Sequence, residues 1–158
     1  MRKIDQLLSE YGESHENVTN KAIHWICVPL IFFSALGLIA SIPSGLVQSY
    51  LGPGNPYANW ATVVLLLAIA YYVSLSITLA IGMALFGLAC LFIDKTIAES
   101  GLSLWLVSLI IFVVAWIGQL YGHNVEGKKP SFLKDLQFLL IGPAWLMHFV
   151  FKKIGIPY

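Results

Sequence analysis

The sequence predicts an all-α integral membrane protein, and two observations lead to this class. Hydrophobic residues make up 58% of the 158 residues and charged residues only 11%, whereas about a quarter of the residues in soluble domains are charged. The apolar residues also form several long runs, separated by short polar segments, that can cross a hydrocarbon core of about 30 Å as helices. We expect one membrane domain over residues 1–158, with four transmembrane helices, an N-terminal amphipathic helix and a C-terminal re-entrant or interfacial helix.

The amphipathic helix is predicted from an apolar stripe near the N-terminus. Its members share one helical face and are Ile4, Leu7, Leu8 and Tyr11. Such a helix lies in the membrane interface or packs on the cytoplasmic ends of the spans. The polar segment 13–20 follows as a turn, in which Asn17, Thr19 and Asn20 are candidate N-caps of the first span.

The four predicted spans cover residues of about 21–42, 60–75, 77–94 and 102–121. The second and third divide one apolar run, because a single helix over 60–93 would be about 50 Å long. The turn between them is expected within YYVSLSIT, residues 71–78. Proline and glycine make 43–59 a loop, and 94–101 is a short polar connection.

The end of the fourth span and the last apolar segment carry further signals. Gly118 and Gly122 form a GxxxG pair, which lets a neighbouring helix approach closely. The last segment, about 136–151, is short for a span and contains Gly142-Pro143 as an interruption, which favours a re-entrant or interfacial helix.

Basic residues are distributed asymmetrically along the chain. They flank the first span and follow the fourth: Arg2, Lys3, Lys21, Lys128, Lys129, Lys134, Lys152 and Lys153. The positive-inside rule then places both termini in the cytoplasm, which requires an even number of spans. The near-zero net charge gives no indication of a nucleic-acid partner. The lysines of the KKIGIPY terminus lie too far from the chain end for a dilysine retrieval signal, which favours a bacterial inner membrane over the endoplasmic reticulum.

All four histidines fall on the cytoplasmic side of this topology, and they are His15, His24, His123 and His148. Several imidazoles beside a carboxylate such as Glu126 suit a non-haem iron site with open positions. The chain has no HExxH motif, no GxSxG or GxxxxGK[ST] motif, and no histidine boxes of the di-iron desaturase kind, so a single metal ion is favoured. Two alternatives stay open: His148 as a solvated interfacial side chain, and Glu126 as the ion-pair partner of Lys128 or Lys129.

The positions of these residues resemble a known family. The front half of the pattern is Tyr11, His15, Asn20, His24 and Pro29, and the back half is Gln119, Gly122, His123, Glu126 and Pro130, followed by the Gly142-Pro143 segment. The chain resembles small membrane proteins, long classed as a domain of unknown function, that include the fungal 2-hydroxy fatty acid dioxygenase of phytosphingosine breakdown.

The resemblance implies an iron(II)-dependent enzyme that uses dioxygen to shorten a 2-hydroxy fatty acid by one carbon. The expected Fe(2+) ligands are His15, His24 and His123, with His148 as a candidate fourth. Catalytic candidates are His24, His123 and Glu126, where Glu126 either binds iron or orients a histidine. Candidates for positioning a ligand or the substrate are Tyr11, Asn20, Gln119, Asn124 and Lys128. Lys21, Lys128 or Lys129 would offset the substrate carboxylate.

Two other functions compete with this one. A non-catalytic lipid-binding scaffold would use its histidines to contact head groups, and a metal-dependent lipid hydrolase would hold zinc. Cys27 and Cys90 lie in apolar runs and are expected to be small buried hydrophobic residues. No feature of the sequence indicates an oligomeric state.

Overall fold

The computed structural model of the chain describes residues 2–127 and 132–157, without the side chains of 132–137. Within these ranges the chain is helical and has no strand, which confirms the all-α class. The helices are α1 (Lys3–Gly12), α2 (Val18–Ala40), α3 (Gly45–Leu51), α4 (Trp60–Leu75), α5 (Ile77–Glu99), α6 (Leu104–Glu126) and α7 (Phe132–Ile154).

Three of the described helices, α2, α5 and α6, are long and apolar enough to cross a membrane. Helix α4 is also apolar, but its 16 residues extend only about 24 Å. The count of four spans therefore stays a prediction. The predicted division of the 60–93 run is confirmed, because only Ser76 separates α4 from α5. Ser76 is extended, and its hydroxyl caps α5 by accepting the N–H of Leu79 at 3.3 Å.

Helices α4 and α5 form an antiparallel hairpin around Ser76. Leu65 and Gly87 lie at equal distances along the chain from this turn, and the Leu65 side chain fills the space beside the Gly87 backbone. A Cβ atom at Gly87 would overlap both methyl groups of Leu65. The missing side chain at Gly87 therefore sets the spacing of the two helices.

We expect Gly87→Ala to lower the free energy of unfolding by about 1–3 kcal/mol, because the added methyl group overpacks the hairpin. The measurement is the unfolding midpoint of the purified protein in mixed micelles. Gly45→Ala is the matched control, since a Cβ atom there meets nothing within 4 Å. Equal midpoints for the two variants would contradict this account of the hairpin.

Helix α1 packs on α7 at the end of the bundle that holds the start of α2. Its predicted apolar face is confirmed, because all four of its residues are buried: Ile4, Leu7, Leu8 and Tyr11. Tyr11 contacts Phe138 and Trp145 of α7 with its ring. Of the two predicted locations for α1, the bundle end is therefore the one that the structure supports.

Helix α7 is continuous through Gly142-Pro143, so the predicted interruption at this pair was wrong. A proline removes the hydrogen bond that the carbonyl four residues earlier would accept, here that of Leu139. In the same turn the Tyr72 hydroxyl of α4 donates to the Leu140 carbonyl at 2.7 Å, which links α7 to a neighbouring helix. The six residues from Ile141 to Leu146 are all buried. This part of α7 is enclosed by protein and does not lie on the surface of the bundle.

Other helix boundaries also differ from the prediction. The loop 43–59 contains the short helix α3, and α5 continues to Glu99, so Asp94 is a helical residue and not part of a connection. Helix α6 reaches Glu126, which puts His123 and Glu126 on one helix as the predicted i, i+3 pair requires. Among the candidate N-caps of α2, the structure selects Asn17, whose side chain accepts the N–H groups of Thr19 and Asn20.

Helices α2 and α6 form the most extensive helix pair in the described part of the chain. The pair is antiparallel, because Gly118 faces Cys27 while Gly122 faces Asn20. Side chains at the two glycines would overlap these partners, so the GxxxG pair is the surface on which α2 approaches. This packing places the start of α2 beside the end of α6.

Candidate metal centre

Three histidines meet where α2 begins and α6 ends. His15 comes from the turn after α1, His24 from the second turn of α2 and His123 from the last turn of α6. Each offers a nitrogen, and these ligand atoms lie within 4.8 Å of one another. The ring centroids are 4.2 Å (His15–His24), 5.0 Å (His24–His123) and 5.5 Å (His15–His123) apart. The spacing is close to that at which one metal ion can bind all three imidazoles.

Hydrogen bonds to the backbone fix the orientation of two of these imidazoles. His15 Nδ1 lies 2.6 Å from the carbonyl oxygen of Tyr11, and His24 Nδ1 lies 3.0 Å from that of Asn20. A carbonyl only accepts, so each Nδ1 carries the proton and each Nε2 presents a lone pair. Both Nε2 atoms are buried and have no hydrogen-bond partner in the described ranges. Buried, oriented and unpartnered imidazole nitrogens are the donor set that a metal ion requires.

Burial also keeps these ligands neutral. His15 is 2% exposed and His24 fully buried. Loss of solvation lowers the pKa of His15 to about 4, although the hydrogen bond to Tyr11 opposes the shift. The His15 imidazole is therefore uncharged at neutral pH and its lone pair is available, as metal binding demands.

Glu126 ties the turn that carries His15 to the end of α6. Its carboxylate accepts the backbone N–H groups of Glu16 at 3.0 Å and Asn17 at 3.0 and 3.2 Å. It also accepts the Asn20 side-chain amide at 3.0 Å. Among the described residues, the group that could hold a metal ion consists of the three histidines and does not include Glu126. The carboxylate thus acts on the backbone and side chain next to the histidines.

Asn20 connects this carboxylate to His24. Its side-chain amide donates to the Glu126 carboxylate and to the backbone carbonyl of Ser14. Its backbone carbonyl accepts a hydrogen bond from His24 Nδ1. Asn20 is fully buried, and a Cβ atom at Gly122 would overlap its side-chain oxygen. Gly122 therefore leaves the space in which Asn20 can orient His24.

Aromatic side chains cover His15 on the side of α1 and α7. The Tyr11 ring stacks on the imidazole at 4.2 Å with an interplanar angle of 14°, and Trp145 lies 5.4 Å away. Tyr11 was among the predicted positioning residues. Trp145 was not, because nothing in the spacing of α7 relative to the histidines distinguishes it from an ordinary belt tryptophan.

Four predicted site residues remain, and they are His148, Gln119, Asn124 and Lys128. His148 projects from α7 towards the first part of α1. Burial and the charge of Lys152 lower the pKa of His148, whereas the negative charge of Asp5 in α1 raises it. The reason is that α1 and α7 are antiparallel, so His148 faces a point well before His15. Gln119 is half-buried one turn before His123, Asn124 is exposed, and Lys128 lies outside the described residues.

Comparison with known families agrees with this geometry. A family model described as 2-hydroxy-palmitic acid dioxygenase Mpo1-like matches residues 1–154. The chain belongs to the Mpo1-like family. No curated protein and no solved structure gives a significant match. The Mpo1-like match covers every residue of the three-histidine group.

We expect His15→Ala, His24→Ala and His123→Ala to reduce bound metal from about one ion per chain to background, because each removes one of three imidazole donors. His148→Ala is the control from the same chemical class and should retain the metal. Elemental analysis of the purified variants measures this. A metal loss in His148→Ala equal to the loss in His24→Ala would require a four-histidine site.

We expect Glu126→Ala to weaken metal binding by about 10–100-fold. The reason is that the backbone N–H groups of Glu16 and Asn17, in the turn that carries His15, lose the carboxylate that accepts their hydrogen bonds. Glu126→Gln should have a smaller effect, since its carbonyl oxygen still accepts. Glu16→Ala is the control, as it removes an exposed carboxylate but keeps the backbone N–H that Glu126 accepts. Metal titration measures the affinities. A complete loss of metal in both Glu126 variants would instead make Glu126 a ligand.

Proposed function

We propose that this protein is an iron(II)-dependent membrane dioxygenase that converts 2-hydroxy fatty acids to the fatty acid one carbon shorter. The supporting observation is the group of buried His15, buried His24 and half-buried His123, with the Nε2 atoms of the first two oriented and unpartnered, in a chain of the Mpo1-like family. Imidazole ligands suit iron(II), and three of them leave coordination positions open.

The proposed reaction needs no external reductant. The overall change is R–CH(OH)–COOH + O₂ → R–COOH + CO₂ + H₂O, in which the carbon atoms at C1 and C2 together lose four electrons. Dioxygen accepts four electrons, so both atoms and electrons balance. Iron(II), when bound, supplies the one-electron redox chemistry that dioxygen requires and positions for a chelating substrate.

The chain's own residues would bind and orient the substrate. A 2-hydroxy acid presents a carboxylate and a neighbouring hydroxyl, the pair of oxygens by which such acids chelate metals. Lys21 lies in the first turn of α2, and its charge contributes to lowering the pKa of His15, so it is near enough to offset a carboxylate at the site. The acyl tail would extend towards the apolar surfaces of α2 and α6.

Tyr11 and Trp145 would exclude water from the reacting atoms. Both are buried, at 6% and 4% exposure, and both flank His15. Exclusion of water limits side reactions of partly reduced dioxygen. A non-catalytic lipid-binding scaffold would not need unpartnered, desolvated nitrogens, because imidazoles that contact head groups gain from solvation.

The experiment is reconstitution of metal-free protein in detergent with iron(II), followed by incubation with a 2-hydroxy fatty acid and dioxygen. We expect one molecule of the shortened acid for each dioxygen consumed. We expect no conversion of the unsubstituted acid, which has no hydroxyl to bind the metal, or of the 3-hydroxy acid, whose hydroxyl is not on the carbon that is oxidised. Reconstitution with zinc is the metal control. Full activity of the metal-free or the zinc-loaded protein would overturn the proposal, because neither form holds the iron(II) that supplies the redox chemistry.

A further inference from the structure

A second group of buried polar side chains lies at the opposite end of the bundle from the histidines. Asp94 of α5 is 2% exposed and Ser108 of α6 is fully buried. Both contact α2 at Gly37, which is about 20 Å along that helix from His24. A methyl group at Gly37 would overlap Ser108 Oγ and lie 2.9 Å from Asp94 Oδ1. The glycine therefore lets a carboxylate and a hydroxyl from two other helices reach the same point.

The oxygen atoms of this group have no hydrogen-bond partner. Both carboxylate oxygens of Asp94 and the hydroxyl of Ser108 are buried and unpartnered across residues 2–127 and 132–157, where side chains are described. An unpaired buried carboxylate costs several kcal/mol, and ionisable residues inside membrane helices usually mark a functional site. Three buried oxygen atoms therefore lie together at Gly37 without a hydrogen-bond partner among the described side chains.

Asp94, but not Ser108, also lines a cavity of about 320 Å³ between the end of α2, helix α3, the end of α5 and the start of α6. The volume falls in the range of small-molecule sites and far exceeds that of one water molecule. Its charged lining residues are Asp94, Lys95 and Glu99. Lys95 pairs with Glu99 at 3.5 Å, so the charge of Asp94 is left without an opposite charge.

We propose that this cavity binds the primary ammonium group of a small amphipathic molecule, with Asp94 as its acceptor at the cavity wall and Ser108, beside Asp94 at Gly37, as a second acceptor. A primary ammonium has three N–H donors, which match the three unpartnered oxygens, and its charge offsets that of Asp94. The rest of the molecule occupies the cavity, where Lys95 faces any anionic group it carries. Two sources share this chemistry: the ethanolamine head group of a membrane lipid, and a soluble amine.

The test is thermal unfolding of the full chain in phosphatidylcholine nanodiscs with added ethanolamine. We expect the midpoint to rise by about 2–4 °C at saturation, and not with equal concentrations of choline, which has the charge but no N–H donors, or of sodium. Asp94→Asn should abolish the rise, whereas Glu99→Gln, the control carboxylate of the same cavity, should keep it. Ser108→Ala should weaken ethanolamine binding about tenfold.

A second arm distinguishes the two sources. If the lipid is the ligand, phosphatidylethanolamine nanodiscs raise the midpoint of the wild type but not of Asp94→Asn, and added ethanolamine has no further effect. If only the soluble amine raises the midpoint, the ligand is a small amine. The proposal is overturned if choline or sodium acts as well as ethanolamine, or if Asp94→Asn responds like the wild type. Direct titration of ethanolamine by calorimetry decides the matter should Asp94→Asn alter the stability itself.

Discussion

The close approach of α2 and α6 is the constraint on which the histidine site depends. These two helices carry His24 and His123, and their antiparallel packing rests on the missing side chains at Gly118 and Gly122. In a membrane, no hydrophobic driving force brings helices together, so contact between backbones must come from shape and polar groups. Gly122 supplies the shape, because it leaves room for the side chain of Asn20. Glu126 supplies the polar part by accepting hydrogen bonds from Asn20 and from the turn before α2.

The main property of the three-histidine group is that two of its imidazoles are removed from water. His15 and His24 are almost completely enclosed, and each uses Nδ1 to bind a carbonyl four residues earlier. An imidazole that only filled space would leave its second nitrogen buried at a cost of about 1–3 kcal/mol. Two such nitrogens side by side, held by a network that continues through Asn20 to Glu126, are difficult to explain by packing alone. The network costs stability unless something binds to it.

The sequence predicted the elements that have a strong local signal. The amphipathic stripe of α1 and the N-cap of α2, for which Asn17 was one of three candidates, depend on nearby residues, and the structure has both. The break between α4 and α5 was predicted from the length of the apolar run, and the structure places it at Ser76. The three histidines could be grouped because topology placed them at one end. Asp94 and Trp145 could not be recognised, because their environments come from distant helices. A helix that continues past a polar residue or a proline is decided by tertiary packing, which local patterns do not report.

The two ends of the bundle solve the burial of polar groups in different ways. At the histidine end, α4 is only 16 residues long, and α7 occupies the space beyond it, bound to α4 through the hydroxyl of Tyr72. His15 is covered by Tyr11 and Trp145, and His15 and His24 are shielded from water although they lie near helix ends. At the other end, α5 and α6 bring Asp94 and Ser108 against Gly37 beside an unfilled cavity. A site covered by protein side chains suits chemistry that must exclude water, whereas a cavity suits reversible binding of a small molecule.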